Sequence, residues 1–132
     1  MRKGKIQYHW QLEVYKMSVT AAMKIFEISK NFPREEKYSL MDQVRRSSRS
    51  VSSNIAEAWR RRRYEGAFID KLNISESEAA ETQVWLEYAV KCKYLDREIG
   101  RELNKIYDNI IGKLVTMANN TKPWLLKAKM SI

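Results

Sequence analysis

Apolar and small residues between about 40 and 62 recur every three or four positions, the spacing of one face of an α-helix. This face contains Val44, Ser48, Val51, Ile55 and Ala58. A second stripe of the same helix is positively charged and contains Arg45, Arg49, Arg60 and Arg63. Ser47, Ser52 and Ala56 are small enough for a neighbouring helix to approach closely. We therefore predict a helix that packs on one face and presents aligned arginines on another, with Ser39 as its N-cap.

The preceding segment, about 10–30, is predicted to be a helix with two apolar stripes that Pro33 terminates. The first stripe contains Val14, Met17, Ala21, Ile25 and Ile28, and the second contains Leu12, Tyr15, Val19, Ala22 and Phe26. A helix of a monomeric bundle needs only one such stripe. The second stripe therefore indicates self-association, unless the two form one wide stripe that tyrosine and alanine extend.

Two further helices are predicted after a break at 64–66. The third, about 67–93, is expected to bury Phe68, Leu72, Ala79, Leu86 and Val90, and it carries Glu76, Glu78, Glu81 and Glu87. The fourth is expected to be capped by Asp96 and has its main stripe at Ile99, Leu103, Ile106, Ile110 and Leu114. Four helices with short turns and no strand-like alternation predict an all-α fold, an antiparallel up-and-down four-helix bundle.

The domain organisation expected from this pattern is simple. Residues 1–132 should form one four-helix-bundle domain, with a loose basic arm at 1–9 and a C-terminal tail at 122–132. The tail is apolar enough to dock, although its docking place does not follow from the pattern.

The charge of the chain restricts its partners. With 25 Lys and Arg against 16 Asp and Glu, the formal net charge is +9, which favours a nucleic acid, an anionic membrane or an acidic protein. A basic protein without a polyanionic ligand is the alternative. No stretch approaches the roughly 20 apolar residues of a membrane span, and no signal peptide follows the basic start. We expect a cytoplasmic protein of bacterial type.

Residues that catalysis or metal binding would require are scarce. His9 is the only histidine, and Cys92 is the only cysteine, which we expect to be a buried packing residue. A catalytic triad, a zinc site or a di-iron bundle site needs ligands or bases that this chain lacks. We therefore predict no enzymatic activity, no metal and no cofactor. Trp59 and Trp85 are interpreted as anchors in the core or in an interface, with base stacking as the less favoured interpretation.

The motifs NIAEAWRRRRY and AAETQVWLEYA carry a resemblance to a known family. From about Tyr15 to Thr121 the chain resembles the four-helix-bundle proteins encoded by intervening sequences within 23S ribosomal RNA genes. The resemblance implies an up-and-down bundle, often assembled as a ring, and makes Asn54 and Glu57 polar contacts between helices or subunits. Where family members usually have a glycine before the Tyr-Leu that ends the third helix, this chain has Lys93. Relatives at the level of the fold are accessory proteins of reverse transcriptases.

The arginines allow two interpretations. In the leading hypothesis the protein is a homo-oligomer, expected to be a pentamer rather than a dimer. It binds the backbone of RNA or DNA, because arginine binds phosphate bidentately. The predicted contacts are Arg45, Arg46, Arg49, Arg60, Arg61, Arg62 and Arg63. In the rival hypothesis the protein is an assembly or adaptor protein, and its arginines serve subunit contacts or a protein partner such as a reverse transcriptase. Glu78 and Glu81 are then further interhelix or subunit contacts, and pairing of the arginines with the acidic helix would favour the rival.

Overall fold

The computed structural model describes residues 6–127, which contain four long helices and no strand. The helices are α1, Glu13–Ser29; α2, Leu40–Arg60; α3, Glu65–Lys91; and α4, Arg97–Asn119. Two 3₁₀ turns, His9–Gln11 and Arg34–Glu36, precede α1 and α2. Helix α1 packs against α2 and α4, and α3 packs against α2 and α4. The predicted all-α four-helix bundle is confirmed.

Because successive helices run in opposite directions, the bundle has two distinct ends. One end, called the arginine end, contains the start of α1, the turn between α2 and α3, and the last turn of α4. The opposite end, called the loop end, contains the connection between α1 and α2 (residues 30–39) and the turn between α3 and α4 (residues 92–96).

Helices α2 and α3 approach each other across small and polar side chains. Ser47, Val51 and Ala58 are buried on α2, and Ser75, Ala79 and Thr82 are buried on α3. The hydroxyl group of Ser75 donates to the carbonyl oxygen of Val51 at 2.8 Å, and the hydroxyl oxygens of Thr82 and Ser47 are 2.8 Å apart. Since these buried hydroxyl groups have partners, close packing carries no penalty for unsatisfied polar atoms.

Ser39 is the N-cap residue of α2, as predicted, but its side chain does not form the cap hydrogen bond. The Ser39 hydroxyl does not accept a bond from the helix; it donates to the carboxylate of Glu36, and that carboxylate accepts the Leu40 N–H at 3.2 Å. The longer Glu36 side chain therefore satisfies a free N–H of the first turn. At α4 the prediction is confirmed, because Asp96 accepts the Glu98 N–H at 3.2 Å.

Helix α3 ends in a Schellman motif with a lysine at its left-handed position. Lys93 has φ 64°, and its N–H donates to the carbonyl oxygen of Val90 at 3.0 Å. The N–H of Tyr94 donates to the carbonyl oxygen of Ala89 at 2.9 Å. Cys92 occupies the C-cap and is exposed, so its expected burial is wrong: the helix ends before this position can face the core.

Candidate nucleic-acid interface

Arg45 and Arg49 lie on the flank of α2 that faces α1. The Nε atom of Arg45 donates to Ser29 Oγ at 2.8 Å, and its guanidinium lies 4.8 Å from the centre of the Phe26 ring. Arg49 is exposed, with its guanidinium 5.9 Å from the same ring. Arg45 therefore holds α1 against α2, whereas Arg49 keeps its hydrogen-bond donors available.

Arg46 lies on the other flank of α2, towards α3. Its side chain is 75% exposed and approaches the carboxylate of Asp42 only to 4.0 Å. An exposed pair at that distance contributes little to stability. Arg46 thus points away from the stripe of Arg45, Arg49 and Arg60, and it can contact an external anion.

The run Arg60–Arg63 does not continue the helix as predicted. Helix α2 ends at Arg60, because Arg61 adopts φ −102° and ψ 13°, and the next three residues form the turn. The predicted alignment of Arg63 with Arg45 and Arg49 is therefore wrong, and the expected end of α2 at residue 62 is too late. Arg60, Arg61 and Arg63 are all exposed.

Arg62 has a structural role in this turn. Its Nε atom donates to the carbonyl oxygen of Trp59 at 2.7 Å, and its guanidinium lies 3.5 Å from the centre of the Trp59 ring. This bond satisfies a carbonyl group that the end of α2 leaves free. Burial, and then the charge of Arg60, lower the pKa of Arg62 from its usual value. Arg62 thereby fixes the turn that presents its three exposed neighbours.

Trp59 joins both terminal segments to the arginine end. Its indole N–H donates to the carbonyl oxygen of Gln7 at 3.0 Å, and the Trp124 ring meets its ring edge-on at 6.3 Å. The Leu126 N–H donates to the Arg62 carbonyl oxygen at 3.2 Å. Residues 6–9 of the expected loose arm and the first part of the tail are therefore docked here; residues 1–5 and 128–132 lie outside the described range.

Tyr8 and Trp10 form a stacked pair that sequence analysis missed. Their ring centres are 4.3 Å apart with an interplanar angle of 3°, and the two residues are 49% and 52% exposed. Tyr64, which follows the arginine run, is 64% exposed. In the sequence, the only sign of this pair was the concentration of aromatic residues in 8–15. That sign was not used because residues 1–9 were expected to form a loose arm.

The predicted polar contacts of α2 divide into two kinds. The amide nitrogen of Asn54 is buried but donates within its own helix, to the carbonyl oxygen of Ser50 at 2.9 Å. Glu57 reaches across to α3, where its carboxylate lies 3.6 Å from the Lys71 amino group.

Trp85 is half-buried and donates its indole N–H to Glu81 at 3.3 Å.

Glu78 and Glu81 lie half-buried along the flank of α3 that borders α2. Burial of the Glu78 carboxyl group raises its pKa, and the charge of Glu81 raises it further. A hydrogen bond from Ser50 and the positive charge of Arg46 oppose that rise. The two glutamates therefore form a half-buried acidic pair on α3 beside α2.

Within residues 6–127, no arginine of the 45–63 stretch forms an ion pair with Glu76, Glu78 or Glu81. Arg60, Arg61 and Arg63 have no carboxylate partner within 4.0 Å in that range. The pairing between the arginine helix and the acidic helix that would favour the rival hypothesis is thus absent from residues 6–127 of the single chain. The arginine end is an exposed basic surface.

Other chemistry finds little support in the described part of the chain. No group of three or more His, Cys, Asp or Glu side chains is placed to hold a metal ion there. A groove of about 990 Å³ runs between α1 and α4, and the Glu13–Lys113 ion pair (3.7 Å) lies on it. None of the described helices is long and apolar enough to cross a membrane.

Comparison with known proteins supports the assignment made from the motifs. The sequence model of the 23S rRNA-intervening sequence protein family matches residues 10–116. The fold is similar to the crystal structure of a protein of unknown function from the S23 ribosomal protein family of Bacteroides thetaiotaomicron VPI-5482, with a TM-score of 0.73 and 31% sequence identity. That match covers 81% of this chain and 96% of the other. No match was found among curated proteins. The family has no established function and is not a known enzyme family. The chain belongs to the family of 23S rRNA-intervening sequence proteins.

Proposed function

We propose that this protein is a non-enzymatic homo-oligomer that binds the phosphate backbone of RNA or DNA through the arginine end. The observation that carries the proposal is the exposure of Arg60, Arg61 and Arg63 without a carboxylate partner in the described range. Guanidinium groups bind phosphate bidentately, and such contacts supply affinity without reading sequence. The net charge of +9 adds long-range attraction.

The arginines divide into contact and supporting residues in this proposal. Arg60, Arg61 and Arg63 contact phosphate, and the exposed Arg46 extends the surface along α2, whereas Arg49 lies in the subunit contact proposed below. Arg62 and Arg45 are supporting residues, because Trp59, Ser29 and Phe26 already engage them. A fixed turn loses less conformational entropy on binding than a free one.

Two complementary flanks of the bundle support the proposed oligomerisation. The basic flank, between α1 and α2, comprises Val19, Met23, Phe26, Arg45 and Arg49. The acidic flank, on α3 beside α2, comprises Ile74, Glu78, Glu81, Trp85 and Tyr88. Each flank combines incompletely buried apolar residues with a local excess of one sign of charge, and Arg46 and Lys71 border the acidic flank. A contact between the basic flank of one copy and the acidic flank of the next would cover both.

The position of the flanks favours a closed ring. They border the same helix, α2, and so lie on neighbouring sides of a four-sided bundle, which meet at about 90°. A head-to-tail contact between unlike surfaces generates a ring when the rotation closes. A ring closes after four copies when the two contact directions of a subunit make an angle of about 90°, and after five copies when they make an angle of about 108°. Such a ring repeats the arginine end around one axis, so several weak phosphate contacts act together.

The salt dependence of binding tests the proposal. Anisotropy titrations would use labelled duplex DNA and duplex RNA over a range of salt concentrations. The variant Arg60→Gln/Arg61→Gln/Arg63→Gln should bind more weakly, and its log–log salt slope should be shallower by about 0.9 for every duplex DNA phosphate that it no longer neutralises. A matched control, Lys24→Gln/Arg97→Gln/Lys105→Gln, removes the same charge from exposed positions elsewhere. Equal slopes for the two variants, or no binding at low salt, would refute nucleic-acid binding through this end.

The rival function, assembly or adaptor protein, is favoured by the position of two arginines of the basic flank. Arg45 and Arg49 lie against Phe26 on the basic flank, where they could serve a protein contact. If the glutamine variant of the arginine end keeps full nucleic-acid binding while Arg49→Glu abolishes assembly, the arginines belong to this function instead.

A further inference from the structure

The stacked pair of Tyr8 and Trp10 is held rigidly although half of its surface is exposed. The side-chain oxygen of Gln11 accepts the N–H groups of Gln7 and Tyr8 at 2.8 and 3.0 Å. His9 meets Trp10 edge-on, with ring centres 5.1 Å apart, and it packs against Tyr15 at 4.9 Å. The segment is further fixed where Gln7 accepts the indole N–H of Trp59. Two flat aromatic rings are thus fixed in place while much of their surface remains in water.

This pair belongs to the arginine end. Gln7 is bound to Trp59, and the guanidinium of Arg62 lies on the Trp59 ring. Tyr8 follows Gln7 directly, and consecutive Cα atoms are about 3.8 Å apart. The aromatic pair therefore lies within a few residues' reach of the turn that carries the exposed arginines. Exposed aromatic rings beside phosphate-binding arginines are the composition of a surface for unpaired nucleotides.

We propose that the Tyr8–Trp10 pair is a stacking platform for an unpaired base, so that the preferred ligand is single-stranded nucleic acid. This inference rests on the proposed function and names its ligand class. An exposed ring face accepts any base, whereas the bases of a duplex already stack on one another. The arginines would hold the backbone while the platform holds a base.

A contact with a second copy of this chain is the competing explanation of the exposed rings. Charge argues against it, because the same end of a second copy would bring its own unpaired arginines into proximity. The incompletely buried residues of the basic and acidic flanks lie along the sides of the bundle rather than at this end. The platform shares the end with the basic surface.

Substitution of Trp10 separates stacking from backbone attraction. The probes are a labelled oligothymidylate, an oligouridylate and a duplex of the same length, titrated by anisotropy into wild type, Trp10→Ala and Trp10→Phe. Trp10→Ala should weaken binding of the single strands by about 5- to 100-fold, with its duplex affinity and salt slope unchanged. Trp10→Phe, which keeps an aromatic face, should recover most of the loss.

The matched control is Tyr38→Ala, which removes an 86% exposed aromatic residue next to α2 at the loop end. It should leave binding of every probe unchanged. Equal single-strand affinities for Trp10→Ala and wild type would overturn the inference while leaving duplex binding by the arginines intact. A Trp10→Ala protein that binds normally but changes its oligomeric mass would assign the pair to a subunit contact, which also overturns it. Failure of wild type to bind any probe would remove both the inference and the proposed function.

Discussion

The phenolic hydroxyl of Tyr94 donates a 3.0 Å hydrogen bond to the carboxylate of Glu36, joining the two connections at the loop end. The other carboxylate oxygen accepts the Ser39 hydroxyl and the Leu40 N–H. The Phe32 ring packs beside Tyr94, with centres 5.8 Å apart. One side chain therefore caps α2 and also ties the α1–α2 connection to the end of α3.

This arrangement predicts a pH-dependent contribution to stability. The hydrogen bonds from Ser39, Leu40 and Tyr94 lower the pKa of Glu36 below 4.5. The contribution of the ionised carboxylate to the free energy of unfolding is therefore present above about pH 5, and it is lost as pH falls through the lowered pKa. The bond to Glu36 raises the pKa of Tyr94 from 10.0 to about 12. The stability that the protonated Tyr94 hydroxyl contributes is therefore lost only above about pH 10. Denaturant unfolding should find Glu36→Gln less stable than wild type at pH 7, with the difference shrinking towards pH 3. A difference that stays constant with pH would contradict this account.

Lys93→Gly should stabilise the protein. A side chain at φ 64° meets a steric cost of about 1 kcal/mol that glycine avoids, and the two Schellman hydrogen bonds remain possible. We expect a gain of about 0.5–1 kcal/mol in the free energy of unfolding, partly offset by the freedom of glycine in the unfolded chain. The control Lys105→Gly, at an exposed position within α4, should cost about 1 kcal/mol. If Lys93→Gly and Lys105→Gly lowered the free energy of unfolding by similar amounts, the argument that Lys93 is strained would be contradicted.

Gly100 and Gly112 should respond oppositely to alanine. A Cβ atom at Gly100 would lie 2.5 Å from Cγ2 of Val90, so Gly100→Ala must separate α3 from α4 or distort a stiff side chain. We expect a loss of about 1–3 kcal/mol. A Cβ atom at Gly112 meets nothing within 4 Å, so Gly112→Ala should gain about 1 kcal/mol from helix propensity. Thermal unfolding of both variants would check the packing of α4.

Ile55→Asp should prevent folding, whereas Arg61→Ala should leave the fold intact. Ile55 is 0% exposed, and a buried carboxylate without a partner costs on the order of several kcal/mol. Arg61 is exposed in the turn after α2, where substitutions usually change stability by less than about 0.5 kcal/mol. Equal melting temperatures, measured by circular dichroism, would contradict the position of Ile55 in the core.

Light scattering should give a mass of about four to five times the 15.7 kDa of one chain at micromolar concentration. Arg49→Glu on the basic flank and Glu81→Arg on the acidic flank should each weaken assembly through like-charge contacts. The double variant restores opposite charges across the contact and should assemble again. A 15.7 kDa particle for wild type would refute the ring, and a double variant that stays dissociated would refute this pairing of flanks.

The main features of the fold were predictable because they depend on a repeated pattern. Val44, Val51 and Ile55 keep the 3–4 spacing over several turns, and all three are buried. The ends of the helices were less predictable, because single side-chain contacts decide them. At the start of α2 the Glu36 carboxylate, rather than the hydroxyl of the N-cap residue Ser39, accepts the Leu40 N–H, and the bond from Arg62 to the Trp59 carbonyl accompanies the early end of the helix.

The candidate site was only partly predictable for the same reason. Composition and spacing drew attention to the arginines. However, the sequence does not show which of these seven similar side chains already contact other residues of the protein. The engagement of Arg45 by Ser29 depends on packing between α1 and α2, and that of Arg62 by Trp59 depends on the conformation of the turn that ends α2. The Tyr8–Trp10 pair escaped detection because a short 3₁₀ turn has no periodicity to reveal it.

Docking of both terminal segments on Trp59 and Arg62 has a practical consequence for anyone who handles this protein. Gln7 and Leu126 bond to residues three positions apart, so the first and last described parts of the chain lie together beside the surface whose binding is to be measured. The same proximity makes the chain suited to circular permutation, with a short linker across the arginine end. New termini opened near Tyr38, which is 86% exposed at the loop end, would leave the basic surface unobstructed for labels and immobilisation.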